Sequence, residues 1–279
     1  MNVSIMLRIY LFRHGETFLN RAGIVQGAGV DASVTLQGFH QAIGVGANFF
    51  ANNIPPHQNR WSIICSTMTR TRETLLGFCH GAHGVAPDDP GLPPADVAFL
   101  PSELFGVPIT LDARLKEKAQ GARENKKNNI TQEVAEAMEL ELGNPPSSFF
   151  KETDSEVASR ALEVLEEEIV RRIVAENDPN YTPSSSHSTL LVTHGGVIRV
   201  LLRDIFKVGG GPGEERIRVF NSSVSRVDVS IKKRANSEVP GVNTVRVGED
   251  VYEWTATLVG PIGDTSYIPP HLVTERSDW

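Results

Sequence analysis

The stretch Leu7-Arg8-Ile9-Tyr10-Leu11-Phe12-Arg13-His14-Gly15 decides how this chain is read. Leu7 to Phe12 is short, apolar, β-branched and aromatic, the pattern of a strand buried on both faces. It ends on Arg13, His14 and Gly15. A second buried run, Thr189 to Thr193, ends the same way on His194-Gly195-Gly196. A third, Trp61 to Ser66, runs into Thr67-Met68-Thr69-Arg70. In open α/β sheets, ligands bind beyond the carboxyl ends of the strands. Two histidines and two arginines are therefore expected to converge at one edge.

The spacing predicts helices over Thr35–Phe50, with Thr35 as cap, and over Thr69–Phe78, Thr131–Leu142, Glu152–Val174 and Gly195–Phe206. Val107–Leu111 reads as a short strand. Ile217–Phe220, Ser223–Ile231, Val242–Val247 and Val251–Leu258 alternate like sheet strands. Gly81–Pro94, Pro179–Ser188 and Gly209–Gly213 carry the turn-forming residues of loops. Strands alternate with helices up to about residue 206. That order predicts an α/β three-layer sandwich, a mainly parallel central sheet with helices on both faces. The closing strands add antiparallel edges. A single domain over 1–279 is expected, with a loop insertion around 81–105 and a C-terminal tail from about 260.

The bulk composition sets limits. The chain has 279 residues, 40% hydrophobic and 22% charged, with a formal net charge of -7. Such a balance argues against a general nucleic-acid binder, which shows a basic face. It leaves room for an anionic small substrate, because a pocket can be locally positive in an acidic protein. No apolar run reaches ~18 residues, so no membrane span is expected. The two cysteines, Cys65 and Cys79, lack metal-ligand spacing and read as free thiols of a reducing, cytoplasmic setting.

The converging residues suit a phosphoryl group. Arginine offers a planar fork of donors that matches phosphate oxygens and keeps its charge. Histidine can attack phosphorus and form a covalent intermediate. Gly15 and Gly195 let backbone approach a ligand closely. Release in two steps needs an acid for the leaving oxygen and a base for the incoming water. One Arg-His-Gly triplet is a weak signal, and its repetition at an equivalent strand end is what lifts it. His40, His57, His80, His83, His187 and His271 have no such context and read as surface or loop residues.

With its surroundings, this pattern resembles the histidine phosphatase superfamily, the phosphoglycerate-mutase-like enzymes. Arg13-His14-Gly15-Glu16-Thr17 with Asn20 resembles the family's leading motif. Gln26-Gly27, Asp31 and Thr35-Leu36-Gln37-Gly38 with Ala42 resemble its next block. Ser66 to Thr74 resembles the block that carries an arginine, here Arg70. Leu115-Lys116-Glu117 with Gly121 and Glu124 resembles the block of the acid/base glutamate. Thr193-His194-Gly195-Gly196 with Arg199, then Asn221-Ser222-Ser223-Val224, resemble the last two. The resemblance implies that His14 becomes phosphohistidine, that Arg13, Arg70 and His194 hold the phosphoryl oxygens, and that Glu117 serves as acid and then base. It implies that Asn20, Gln26, Gly27 and the Gly195 N–H complete the phosphate pocket, and that no metal or other cofactor is needed.

Within the superfamily, Ile24 to Asp31 and Leu115-Lys116-Glu117-Lys118 are similar to the TIGAR-type sugar bisphosphatases, associated with fructose-2,6-bisphosphate. The expected function is therefore hydrolysis of a phosphomonoester, a sugar bisphosphate above all, with a small phosphorylated metabolite as the partner molecule. The alternatives are a phosphoglycerate mutase, a protein tyrosine phosphatase, and an inactive regulatory binding protein. Lys126 and Lys127 read either as contacts to a second phosphate or as solvated loop lysines. The chain departs from the family pattern where Asn125 replaces a glycine, Thr67 a proline and Glu73 a glutamine, and Glu152-Thr153 only loosely resembles the family's Gly-Glu-Ser helix start.

Overall fold

The computed structural model of the chain describes residues 5–53, 60–88, 100–177, 187–208, 217–234 and 243–274. In chain order the elements are β1 (Ile5–Arg13), α1 (Phe18–Ala22), α2 (Leu36–Asn52), β2 (Arg60–Ser66), α3 (Thr69–Ala82), β3 (Glu103–Leu104), β4 (Val107–Asp112), α4 (Gln132–Glu141), α5 (Asp154–Glu176), β5 (His187–Thr193), α6 (Gly195–Val200), β6 (Val224–Lys233), β7 (Thr244–Val247) and β8 (Asp250–Asp264). The strands form one sheet in the order β3-β4-β2-β5-β1-β6-β8-β7. Its centre, β4-β2-β5-β1, is parallel. β6, β8 and β7 continue it antiparallel, and β3 pairs antiparallel with β4 at the other edge.

Alternation along β1 explains the layers. Ile5, Leu7, Ile9 and Leu11 pack into the core beneath α5 and α6. Tyr10 and Phe12 point the other way, into the core beneath α2 and α3. A strand buried on both faces has no polar side to show, which is why its sequence reads as a continuous apolar run. Each large apolar side chain so buried contributes roughly 1.5–3 kcal/mol. The parallel register then levels the strand ends. Cys65 of β2 stands beside Val192 of β5, and Val192 beside Phe12 of β1. The residues that follow each of them emerge together at one edge of the sheet.

Local chemistry sets the helix starts. The Thr35 hydroxyl accepts from the Gly38 N–H at 3.0 Å, so α2 begins just after its expected cap. Thr153 caps α5 through a reciprocal box with Glu156, which moves the start past Glu152. Val157, Ala161, Val164, Leu165, Ile169 and Ile173 then recur at helical spacing and are buried. Burial also lifts the thiols of Cys65 and Cys79 to about 12. They behave as small apolar core groups.

Several expectations are corrected. α1 is an additional helix, started by a capping box between Thr17 and Asn20. Ile217–Phe220 joins no strand, and the Val219 carbonyl accepts from the Arg13 guanidinium instead. The run from Gly195 to Phe206 divides into α6 and a wider π turn over Leu201–Ile205. His187 is buried as the first residue of β5 rather than exposed in a loop. The stretch after residue 260 first completes β8 and then packs down, with Ile268 and Leu272 buried in the α2/α3 core. The Leu272 carbonyl accepts from Gln41 Nε2 at 2.8 Å. Of the expected 81–105 loop, Glu103–Leu104 forms β3 and residues 89–99 lie outside the described residues. The same holds for 178–186, the Gly209–Gly213 turn and residues 275–279.

Helices α2 and α3 approach until backbone meets backbone. A Cβ on Gly81 would stand 1.9 Å from the Ile43 carbonyl oxygen, and one on Gly46 2.0 Å from that of Phe78. Gly81→Ala is therefore expected to destabilise the fold by about 1–3 kcal/mol through forced backbone shifts. Chemical denaturation measures this, and an unchanged midpoint would mean that the helices do not pack this closely.

Candidate active site

His14 is fixed by its backbone before its side chain is considered. Its N–H donates to the Thr193 carbonyl at 3.0 Å, and its own carbonyl accepts from Ser222 N at 3.1 Å. The end of β1 is thus clamped between β5 and the Asn221-Ser222 turn, where Ser222 takes a left-handed φ of 53°. Asn221 Nδ2 donates to the carbonyls of His14 and Gly15 at 3.2 and 3.3 Å. The Gly15 N–H donates to Thr74 Oγ1 at 2.8 Å, tying the turn to α3.

The imidazole follows from this frame. His14 Nδ1 lies 2.8 Å from the Gly15 carbonyl oxygen. A carbonyl only accepts, so Nδ1 carries the proton and the lone pair is left on Nε2. His194 lies behind it, with the ring centroids 5.3 Å apart. Arg70 Nε donates to His194 Nδ1 at 3.2 Å, and His194 Nε2 lies 2.9 Å from Ser66 Oγ. Because a guanidinium N–H can only donate, the His194 proton sits on Nε2 and is given to Ser66. Arg70 also donates to the carbonyls of Val30 and Gly27, at 2.8 and 3.3 Å. Ser66, His194 and the 27–30 loop therefore aim one guanidinium.

A narrow cavity of about 30 Å³ opens over this cluster, lined among others by Arg13, His14, Gln26, Arg70, Glu117, Gly195 and Arg199. Arg13 Nη1 donates to the Val219 carbonyl at 2.5 Å. Glu117 accepts from Lys118 N at 2.8 Å and Gly196 N at 3.2 Å. The Gly195-Gly196 pair has a steric reason. A Cβ on Gly195 would press on the Arg13 guanidinium at 3.2 Å, and one on Gly196 would strike the Glu117 carboxylate at 2.3 Å.

Seven of the nine residues singled out by sequence thus meet here: Arg13, His14, Gln26, Arg70, Glu117 and Gly195 as lining, His194 directly behind. Asn20 and Gly27 stand one layer back. Asn20 Oδ1 is occupied by Thr17 and Asn221. Gly27 makes room for Glu124, whose Oε1 would lie 2.0 Å from a Cβ there. Two departures from the family pattern find their explanation. Asn125 has a φ of 63°, and asparagine is the residue other than glycine that best accepts the left-handed region. The Glu73 carboxylate accepts from Val34 N at 2.6 Å. Ser66, Thr74 and Asn221 carry structural roles that their sequence setting did not assign. Their signal was membership of the Ser66–Thr74 and Asn221–Val224 blocks, which named no role for them.

Electrostatics follow from burial. Burial and the neighbouring Arg13 and Arg70 hold His14 well below the ordinary histidine range, partly offset by the Gly15 carbonyl. His194 is held down by burial, then Arg70, His14 and Arg13. Both are neutral at neutral pH. Burial also pulls Arg70 below the usual guanidinium value, with Glu117 and Asp31 opposing. Among the described residues, no group of three or more His, Cys, Asp or Glu side chains is placed to hold a metal ion. No described helix is long and apolar enough to cross a membrane.

The profile of the histidine phosphatase superfamily (branch 1) matches residues 9–92 and 97–238. The chain belongs to that superfamily, whose members include phosphatases and mutases. It is 28% identical over 229 residues to the "Probable phosphoglycerate mutase GpmB" of Erwinia tasmaniensis, covering 80% of this chain and 85% of that protein. It is 26% identical over 229 residues to the "Probable phosphatase C1687.21" of Schizosaccharomyces pombe, covering 80% of this chain and 88% of that one. A solved phosphoglycerate mutase from Bacillus anthracis shares the fold with a TM-score of 0.55 at 17% identity, over 95% of this chain and 96% of that one.

The buried imidazoles give stability a pH dependence of known sign. Unfolded histidines bind protons near pH ~6.5. Folded His14 and His194 do so only at lower pH, and burial brings His187 down to about 4. Below pH ~6.5 the unfolded chain therefore binds more protons, and the contribution present above that pH is lost as the pH falls. Denaturation midpoints are expected to drop between pH 7 and 5, and His14→Gln, His194→Gln and His187→Gln together should flatten the drop. A drop of the same slope in the triple variant would refute the assignment.

Proposed function

We propose that this chain is a metal-independent phosphomonoester hydrolase that passes the phosphoryl group through His14 to water. The observation that carries the reading is the pairing of a neutral imidazole, its lone pair on Nε2, with two buried guanidinium groups in one narrow cavity. Arg13 and Arg70 bind the phosphoryl oxygens and stabilise the charge that builds on them in the transition state. His14 Nε2 attacks phosphorus as the ester P–O bond breaks. Glu117 delivers a proton to the leaving oxygen, so an alcohol departs. In the second step Glu117 takes a proton from water as its oxygen attacks phosphohistidine, which releases phosphate and restores the imidazole. His194 positions Arg70 through their shared bond. Gln26 and the Gly195 backbone border the phosphate, while Asn20 and Gly27 support the pocket from behind.

The substrate is a small phosphorylated metabolite in a reducing, cytoplasmic setting. The narrower TIGAR-type reading, with fructose-2,6-bisphosphate as substrate, asks for a cation at the second phosphate. Lys126 is paired with Glu139, and Lys127 Nζ donates to the Ala22 carbonyl at 2.7 Å. Both lysines serve the fold of their own segment, so the reading is kept at the level of a phosphomonoester. A mutase uses the same first step and differs in returning the phosphoryl group to a second hydroxyl. The relatives named as mutases make this the second reading.

Incubation with a phosphate ester, rapid quench and mapping should trap an acid-labile phosphate on His14. His14→Ala should lose turnover by at least a thousandfold, and full activity in that variant would sink the mechanism. Release of inorganic phosphate distinguishes hydrolysis, whereas an isomeric ester as the main product would establish the mutase. Glu117→Gln should slow alkyl phosphates by about a hundredfold or more, and aryl phosphates with good leaving groups far less. Equal slowing of the two would remove Glu117 from the acid role.

A further inference from the structure

The segment that carries Glu117 and the loop that aims Arg70 run side by side. At the base of their contact the backbones pair: Val25 N donates to the Lys126 carbonyl at 2.8 Å, and Asn125 N to the Val25 carbonyl at 3.1 Å. Toward the cavity a side chain makes the connection. Glu124 accepts from Gln120 N at 2.8 Å through Oε1 and from Gly29 N at 3.0 Å through Oε2. Gln120 follows Glu117 in the same short segment and lines the same cavity. Gly29 stands between Gly27 and Val30, whose carbonyls both accept from Arg70. One carboxylate therefore links the segment of the proposed acid to the loop that holds a phosphate-binding guanidinium.

The link needs a carboxylate. Both partners are donors, and each oxygen serves a different segment. The amide of a glutamine has one acceptor oxygen and would turn its own N–H groups toward one of the two donors. The chain also leaves the volume free. A Cβ on Gly27 would stand 2.0 Å from Glu124 Oε1 and 2.9 Å from Gln120 N, and one on Gly29 would stand 2.7 Å from Oε2. Neither glycine takes a left-handed φ, so it is space for the carboxylate that calls for glycine here. Charge reaches Glu124 from both sides as well. Burial raises its carboxyl above the usual carboxylate value, the two N–H groups and Arg70 lower it, and Glu117 raises it.

We infer that Glu124 is a positioning residue: by tying Gln120 to Gly29 it fixes where Glu117 stands relative to the phosphoryl group that Arg70 binds. The inference rests on the roles proposed above for Glu117 and Arg70. A reacting group displaced by about 1 Å can lose on the order of a hundredfold in rate. Without the tie, Arg70 keeps its bond to His194 and Arg13 its bond to the Val219 carbonyl. Binding of the phosphoryl group should therefore survive better than proton delivery to the leaving oxygen.

Steady-state kinetics on the full chain test it with 2-phenylethyl phosphate, a poor leaving group, and 4-nitrophenyl phosphate, a good one. Glu124→Gln should lower kcat for the alkyl ester about thirtyfold and for the aryl ester less than about threefold, with each KM within about threefold of the unsubstituted chain. A merely loosened fold slows both esters alike, and that result overturns the inference. In a Glu117→Gln background, Glu124→Gln should cost the alkyl ester less than about threefold more, because the acid it positions is already gone. Losses that multiply overturn the inference too. Gly29→Ala presses on the tie from the other side and leaves Glu124 in place. It should slow the alkyl ester about tenfold more than the aryl ester, and it decides the matter if Glu124→Gln does not fold. An unchanged ratio of the two esters means that the tie does not position Glu117. If Glu117→Gln itself slows both esters equally, the acid role falls and this inference with it. If Glu117→Gln discriminates between them and Glu124→Gln does not, only this inference falls.

Discussion

Two guanidinium groups, Arg13 at 2% and Arg70 at 0% exposure, lie buried at the carboxyl edge of the sheet, and the rest of the site is arranged around them. Buried charge is costly unless it is hydrogen-bonded and opposed. Here the opposing groups are the carbonyl dipoles of Val219, Val30 and Gly27 and the carboxylates of Glu117 and Asp31, the latter 3.7 Å from Arg70. The cluster thus keeps an excess of positive charge facing a narrow opening. Burial, reinforced by that excess, keeps both histidines neutral. In the proposed mechanism an anion entering the opening supplies negative charge, and a neutral imidazole is the form that attacks it.

The sheet supplies that condition through register. Parallel pairing of β1, β5 and β2 levels Phe12, Val192 and Cys65, so three chain segments release their polar ends at one height. Each is then pinned to another element: the end of β1 to the Asn221-Ser222 turn, α3 to Gly15 through Thr74, His194 to Ser66. Glycine occurs where these pins leave no volume for a Cβ, at Gly195 and Gly196. Among the described residues, the antiparallel strands β6, β8 and β7 meet the site through the turn that precedes β6. Their larger contribution is to the core beneath α5 and α6.

Much of this was legible in the residues. Strands β1, β2 and β5 and the longest helices stood out because burial on two faces, or on one stripe, imposes a period on apolar side chains. The strand-end histidines and arginines stood out because polar residues of phosphate-binding type followed those runs directly. What was misread had no such period, or had one that no neighbouring strand answers. α1 is five residues long and owes its existence to one capping box. Ile217–Phe220 alternates like a strand, yet Val219 spends its carbonyl on Arg13 instead of a neighbouring strand. The segment after 260 looked like a tail because Ile268 and Leu272 are buried singly, held by backbone contacts to α2 and not by a repeating face.

The α/β layering and the membership of the superfamily were legible along the chain, since each depends on residue kinds at short spacing. Folding alone sets which tautomer each histidine holds, that His194 serves Arg70 and Ser66, that Asn20 and Gly27 stand behind the pocket, and that Lys126 is taken up by Glu139. These depend on partners from distant parts of the chain meeting within hydrogen-bond range. Spacing along one segment carries no record of such meetings.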